Sequence, residues 1–249
     1  MIIPEEQHQS LIEHLTELRT RLVRALYFIV AGFIISWIFS DKIFDVIRMP
    51  IAPFLKEGGL VFTAPTDKLM AHLKISGLAG IILSCPFWFY ELWKFVAPGL
   101  YQKERKWAYG FVTFGSILFL VGISFAYFLV FPMAFKYLLG FGGNTDSPMI
   151  TIQEYISFFM TTSLVFGLAF EMPLVITFLG MIGVVDAKFL ANKRRYAFMV
   201  LAVVSAIFTP PDVLSMLLML VPMALLYELS ILLVRFLGKD REAPPEAHI

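Results

Sequence analysis

Long apolar runs alternate with short polar connections along almost the whole chain. A run of about 20 apolar residues matches the ~30 Å hydrocarbon layer of a bilayer, so each run is interpreted as a membrane-spanning helix. The pattern predicts six spans, at residues 22–40, 73–96, 109–131, 156–182, 196–208 and 213–234. The fifth is short, since its residues rise only about 20 Å as an α-helix.

The polar connections also have predicted structure. Residues 1–21 form a cytoplasmic segment in which leucines recur every three or four positions, which is typical of an amphipathic helix that leads into the first span. Two prolines between the last two spans cannot continue a helix, so these spans form a tight hairpin. The connection around residues 41–72 contains prolines, glycines and short apolar pieces, so we expect it to pack as a cap, with Pro50 as a structural residue.

Composition supports the membrane interpretation. The chain is 59% apolar and its mean hydropathy is +0.78, whereas a soluble domain is typically about 45–50% apolar. We therefore predict an all-α integral membrane protein, with residues 1–249 as a single polytopic domain. The acidic, polar N-terminus does not resemble a cleavable signal peptide, and the net charge of +1 gives no sign of a nucleic-acid partner.

The distribution of basic residues predicts the orientation. Of the 20 Lys and Arg residues, 14 lie in the N-terminal segment, the second-to-third and fourth-to-fifth connections and the tail at 235–249, and 6 lie on the opposite side. Because cytoplasmic loops carry an excess of Lys and Arg, both termini are expected to face the cytoplasm.

Few residues suggest catalysis. Cys85 lies in an apolar stretch as the single cysteine, where a packed thiol is expected. No His-Glu-x-x-His motif, paired nucleophile and base, or Cys/His cluster occurs in the sequence. We therefore expect no enzyme, no cofactor and no metal site.

Two acids near the predicted cytoplasmic face are ambiguous from the residues alone. Glu17 lies off the leucine stripe with Arg21 four residues on, so a local ion pair or a solvated charged face is open. Glu104 is an acid among the bases of the second-to-third connection, where it can simply neutralise neighbouring charge.

Glu171 lies near the middle of the fourth span. An uncompensated charge there costs about 2.5–3.5 kcal/mol, so this side chain should face protein or water, or be protonated. Pro173 should kink the same helix and, with an inward acid, produce a concave wall in the bundle. Two interpretations stay open: a neutral Glu171 bonded to a neighbouring helix, or a polar point in a groove.

Five spaced motifs together resemble the TatC family, the signal-reading core subunit of the twin-arginine protein translocase. They are HLTELRTRL at 14–22, FVAPGLYQKER at 95–105, FAYFLVFP at 125–132, FEMP at 170–173 and TPPD at 209–212. The match extends from about residue 11 to residue 235, which is nearly the whole chain.

The resemblance implies a receptor in the bacterial inner membrane that binds the twin-arginine signal of a folded precursor. It also implies single-span TatA/TatB-type partners, self-association and transport driven by the protonmotive force. Signal binding is carried over to Glu17, Arg19, Phe95 and Glu104. Arginine binds a carboxylate through two parallel N–H groups whereas lysine is a point charge, so acids left unpaired here would select an arginine pair.

The resemblance also implies other roles. Glu171 and Pro173 would line the translocation groove, and Pro86 and Tyr127 would be kink and packing residues. Partner contact or the outer turn would involve Ser205, Thr209, Asp212 and Met216. Asp212 can instead cap the last helix, and Met216 stands where many relatives have a glutamine, which removes a polar group at the partner contact.

An ion- or proton-coupled small-solute transporter is the alternative function. Such transporters usually show inverted repeats and paired broken helices around a midplane site. The two halves of this sequence show no convincing repeat.

Overall fold

The computed structural model describes residues 11–55, 59–96, 108–140, 149–209 and 212–238. The helices in these ranges are α1 (Leu11–Ile38), α2 (Ser40–Arg48), α3 (Asp67–Leu83), α4 (Cys85–Val96), α5 (Ala108–Phe125), α6 (Phe131–Gly140), α7 (Ile152–Phe170), α8 (Met172–Met181), α9 (Ala187–Asn192), α10 (Arg194–Phe208) and α11 (Val213–Leu237). A π-turn, Ala126–Val130, joins α5 to α6. The predicted all-α class is confirmed.

Four helical stretches within the described ranges are long and apolar enough to cross a membrane. They are Leu15–Ile38, Gly110–Gly140, Ile152–Met181 and Val213–Leu237. The α3 and α4 helices provide a fifth if the bent pair is one span. Helix α10 has 15 residues and rises about 22 Å, which is less than the hydrocarbon thickness. The chain is a multi-pass helical membrane protein, and the count of six spans stays a prediction.

The second predicted span, 73–96, corresponds to two helices, and the kink expected at Pro86 is present. Helices α3 and α4 meet at Ser84 and are bent by 60° relative to each other. Pro86 has no N–H to donate, and the Ser84 hydroxyl donates back to the Gly80 carbonyl at 2.7 Å. Both features weaken the helical hydrogen bonds at this point, so the helix bends here.

The helix that contains the third predicted span, 109–131, is longer than the span, whose limits stay a prediction. The helical run continues through the π-turn and α6 to Gly140. Pro132 cannot donate a hydrogen bond to the carbonyl four residues earlier, and the π-turn that precedes it takes up this defect.

The fourth predicted span, 156–182, is divided into two helices. Helix α7 ends at Phe170, and α8 begins at Met172 with Pro173 in its first turn. Glu171 lies at the junction, so the predicted break beside Pro173 is confirmed.

Aromatic contacts dominate the interior. One buried cluster of α4, α5 and α8 contains Cys85, Phe89, Trp93, Phe111, Phe119 and Phe178. Trp93 stacks on Phe111 with a 4.6 Å centroid distance, and the Phe178 ring meets both edge to face. Since lipid tails are as apolar as these rings, helix association depends on such packing more than on hydrophobic burial.

The segment between α1 and α3 packs onto the bundle as predicted. The Tyr127 hydroxyl donates to the Val46 carbonyl at 2.8 Å, and the Tyr155 hydroxyl donates to the Ile47 carbonyl. Ile51 is fully buried, and Pro50 is buried in the turn after α2. Tyr127 is therefore a packing residue that attaches this cap to the helices.

Candidate functional site

Helix α1 packs antiparallel to the bent α3–α4 pair. Gly32 of α1 faces Gly80 of α3 so closely that a Cβ on Gly32 would lie 2.5 Å from the Gly80 carbonyl oxygen. One turn closer to the start of α1, Phe28 stacks on Phe87 of α4 with a 5.2 Å centroid distance. Two turns further, the same face of α1 presents Arg21 to the end of α4.

Arg21 is shared by two carboxylates. Its Nη2 lies 3.1 Å from Glu17 Oε1, and its Nη1 lies 3.1 Å from Glu91 Oε2. The exposed fractions are 24% for the Glu17 side chain, 15% for that of Arg21 and 8% for that of Glu91. We call these three residues the Arg21 cluster. With all three ionised it has a net charge of −1 in a setting where solvent screening is reduced.

The expectation that Glu17 is unpaired is wrong. The spacing of four residues on one helix brings its carboxylate to the Arg21 guanidinium. Arg19 lies two residues away and is exposed. Phe95 is partly buried one helical turn after Glu91, on the same side of α4. Glu104 falls in residues 97–107, outside the described residues.

Glu91 is a residue of this site that was not predicted from the sequence. An acid in an apolar helix needs a nearby cation, and Glu91 lies four residues before Phe95, which the family motif does identify. These two features of the sequence could have identified Glu91 as a candidate. Its pairing with Arg21 depends on the register of α1 against α4, which the sequence pattern does not set.

Glu171 is buried between α5 and α8. Its side chain faces α5, since a Cβ on Gly115 would lie 3.2 Å from Glu171 Oε2. The other oxygen, Oε1, has no hydrogen-bond partner among the described residues. The expectation that this acid faces protein is confirmed, and its role in a groove stays a prediction.

Pro173 lines an apolar cavity of about 630 Å³ between α5, α8 and α11. The lining includes Phe111, Phe114, Leu174, Leu229 and Leu233. Glu171 does not line this cavity. Glu171 and Pro173 were predicted to line one groove. In the structure Glu171 lies in a buried contact with α5, whereas Pro173 lines the apolar cavity.

The remaining predicted residues lie in or near the turn between α10 and α11. Ser205 is fully buried, and its hydroxyl faces Met223 of α11 at 3.9 Å. The Thr209 hydroxyl donates to the Ser205 carbonyl at 2.8 Å. Met216 is partly buried in the first turn of α11. Ser205 thus packs within the chain, and a partner contact at this turn stays a prediction.

Asp212 caps α11. Its side chain accepts a hydrogen bond from the Ser215 amide at 2.7 Å, as is usual for an aspartate that precedes a helix. The capping interpretation of Asp212 is confirmed. Its other oxygen is buried and has no partner within the described ranges.

The fold and the site define a polytopic helical membrane protein with a charged cluster at one end of its bundle. The family model described as TatC, Sec-independent protein translocase protein, matches residues 13–222. The Sec-independent protein translocase protein TatC of Desulforapulum autotrophicum is 40% identical over 97% of this chain and 90% of its own length. That of Campylobacter jejuni is 42% identical over 94% of this chain and 98% of its own length.

Two crystal structures described as the twin-arginine translocase receptor TatC have the same fold. Each is 37% identical to this chain, with TM-scores of 0.81 and 0.82. They cover 89% and 92% of this chain, which in turn covers 98% and 100% of them. This chain belongs to the TatC family of Sec-independent protein translocase proteins. It is a component of protein transport and not an enzyme, and the family decides against the small-solute transporter.

Proposed function

We propose that this chain is the subunit that binds the arginine pair of a twin-arginine signal peptide. The binding surface is the cytoplasmic face formed by the start of α1, the end of α4 and the connection that follows α4. Glu17, Arg19, Phe95 and Glu104 contribute to this surface. The membrane is the bacterial inner membrane, and both termini lie in the cytoplasm.

The Arg21 cluster is the observation that supports this proposal most directly. Two carboxylates, on α1 and on α4, already hold one guanidinium group at 3.1 Å each. A surface that binds an arginine of its own chain in this way has the chemistry needed for an arginine of a signal peptide. The family resemblance supports Glu104, in the connection that follows α4, as a further carboxylate of the proposed surface.

The free energies of ion pairing and of apolar burial indicate which part of the signal peptide supplies affinity and which supplies selectivity. An exposed ion pair contributes about 0.2–1 kcal/mol, whereas burial of one leucine-sized side chain contributes about 1.5–3 kcal/mol. The apolar part of the signal peptide therefore supplies most of the affinity. The carboxylates supply the preference for arginine over lysine, since only arginine presents a planar pair of donors.

Membership of the family supports the proposed partners. The chain gathers single-span TatA/TatB-type subunits and further copies of itself, and the outer turn with Thr209, Asp212 and Met216 is the proposed contact. Folded precursors then pass under the protonmotive force. Each charge that crosses 100 mV releases about 2.3 kcal/mol, which is adequate for a step coupled to the field.

Site-specific crosslinking tests this function. A photoreactive group beside the arginine pair of a precursor signal should crosslink to the wild-type chain in membrane vesicles. We expect Glu17→Ala and Glu104→Ala to reduce this crosslink strongly while protein abundance changes little. The control is Glu154→Ala, which alters an exposed acid in the first turn of α7. Equal losses of crosslink and abundance would make Glu17 and Glu104 structural residues.

A further inference from the structure

We propose that Glu91 is a further specificity-determining residue for the arginine pair, and that Arg21 occupies the site until the signal peptide displaces it. This inference rests on the proposed function and adds to it a residue outside the family motifs identified in the sequence. In the described structure the second carboxylate of the site belongs to Glu91 on α4, and the resident cation belongs to Arg21 on α1.

The hydrogen-bond geometry supports a displaceable contact. Arg21 divides its two terminal nitrogens between two carboxylates, with one contact of 3.1 Å to each. A guanidinium that binds a single carboxylate can instead form two parallel hydrogen bonds with it, which is the stronger arrangement. An incoming arginine can therefore gain a paired contact with either Glu17 or Glu91 that Arg21 does not make with either one.

The charge of the cluster supports the same conclusion. Glu17 and Glu91 together carry one negative charge more than Arg21 neutralises. Glu91 is only 8% exposed, and a partly buried excess charge is costly. The guanidinium group of an incoming arginine would neutralise this excess charge.

The packing of α1 against α3 and α4 fixes Glu91 beside Arg21. The contacts of Phe28 with Phe87 and of Gly32 with Gly80 fix α1 against α3 and α4 on one side of the cluster. The neighbouring cation Lys94 lies over the ring of Tyr90, with its Nζ 5.3 Å from the ring centroid.

Peptide binding to the purified full chain in lipid nanodiscs tests the inference. The probes are two fluorescent synthetic signal peptides that differ only in an Arg-Arg or a Lys-Lys pair. We expect Glu91→Gln to weaken binding of the Arg-Arg peptide about tenfold, the effect of one charged hydrogen bond. Binding of the Lys-Lys peptide should change by less than about twofold, because lysine cannot make the paired contact.

A second variant tests the role of Arg21. Arg21→Lys keeps the positive charge but cannot bridge two carboxylates with a planar fork. It should therefore compete less well, and binding of the Arg-Arg peptide should become roughly two- to fivefold tighter. Weaker or unchanged binding of that peptide would overturn the displacement.

Two controls separate the site from general effects. Glu228→Gln breaks the ion pair of Glu228 with Arg194, at 2.7 Å on a different helix pair, and Arg24→Gln removes an exposed arginine one turn from Arg21. Both should leave the ratio of the two affinities unchanged. Thermal unfolding of each variant shows whether it folds, and if Glu91→Gln does not fold, Arg21→Lys decides the inference by itself.

The failures of the two proposals are distinguishable. If Glu17→Gln and Glu104→Gln abolish the preference for Arg-Arg while Glu91→Gln leaves it intact, only the further inference is wrong. If none of the three variants changes that preference, the proposed binding surface is wrong as a whole.

Discussion

Gly80 of α3 and Phe33 of α1 touch backbone to backbone. A Cβ on Gly80 would lie 2.6 Å from the Phe33 amide nitrogen, a distance that real Cβ atoms do not reach. Small residues at helix contacts in membranes allow this close approach, and van der Waals packing then holds the helices together. The contact sets the register that brings Arg21 opposite Glu91.

Gly80→Ala should therefore destabilise the bundle. The added methyl group has only backbone atoms to push against, so α1 and α3 must separate, which costs about 1–3 kcal/mol. Gly77→Ala is the matched control, because it lies on the same helix and a Cβ there meets nothing within 4 Å. Thermal unfolding in detergent measures both. A midpoint for Gly80→Ala equal to that of Gly77→Ala would contradict the close contact.

Tyr155→Phe should loosen the cap. Its hydroxyl donates to the Ile47 carbonyl within the buried part of the bundle, and removal leaves that carbonyl without its partner at a cost of about 1–3 kcal/mol. Tyr27→Phe is the control, since Tyr27 is 69% exposed. Limited proteolysis of the segment around residues 40–66 reports the loosening. Equal cleavage rates in the two variants would show that the hydrogen bond does not hold the cap.

Features of the fold that depend on neighbouring residues in the chain could be predicted from the sequence. The end of α10 and the start of α11 follow from an apolar run that is interrupted by two prolines and an aspartate. The break at Glu171 follows from Pro173, since a proline in the first turn starts a helix more easily than it continues one. The apolar runs gave the membrane class for the same reason, because hydrocarbon thickness sets their length.

Features that depend on contacts between residues far apart in the chain could not be predicted from the sequence. Pro86 predicts a kink, but the 60° bend also depends on the Ser84 hydroxyl, which bonds its own helix. Glu91 and Arg21 are 70 positions apart, and only the packing of α1 against α4 makes them partners. Likewise, Ser205 looked suited to an external partner, yet it faces Met223 within the chain.

Asp212 allows capping and partner contact to be separated. Asp212→Asn should preserve the cap of α11, because asparagine caps helices about as well as aspartate, whereas Asp212→Ala should cost about 1 kcal/mol. We expect Asp212→Asn to retain both thermal stability and the transport of a twin-arginine precursor. Lost transport with retained stability would show that the charge, and not the cap, is needed.

We expect Glu171 to be needed for transport and to lower the stability of the folded protein. Its Oε1 is buried without a hydrogen-bond partner in the described part of the chain, and an unpaired buried polar atom costs about 1–3 kcal/mol. Glu171→Met fills a similar volume without that cost, so we expect a higher unfolding midpoint together with a several-fold loss of precursor transport.

Thr177→Val provides the comparison for Glu171, since the Thr177 hydroxyl is also buried in α8 without a partner among the described residues. This variant should raise the unfolding midpoint slightly and leave transport unchanged. If Glu171→Met instead unfolds at a lower temperature than the wild type, then Glu171 makes a stabilising contact and its role is structural. If Glu171→Met is more stable and transports normally, the carboxyl group is needed for neither. Only gained stability with lost transport identifies Glu171 as a functional acid in the membrane.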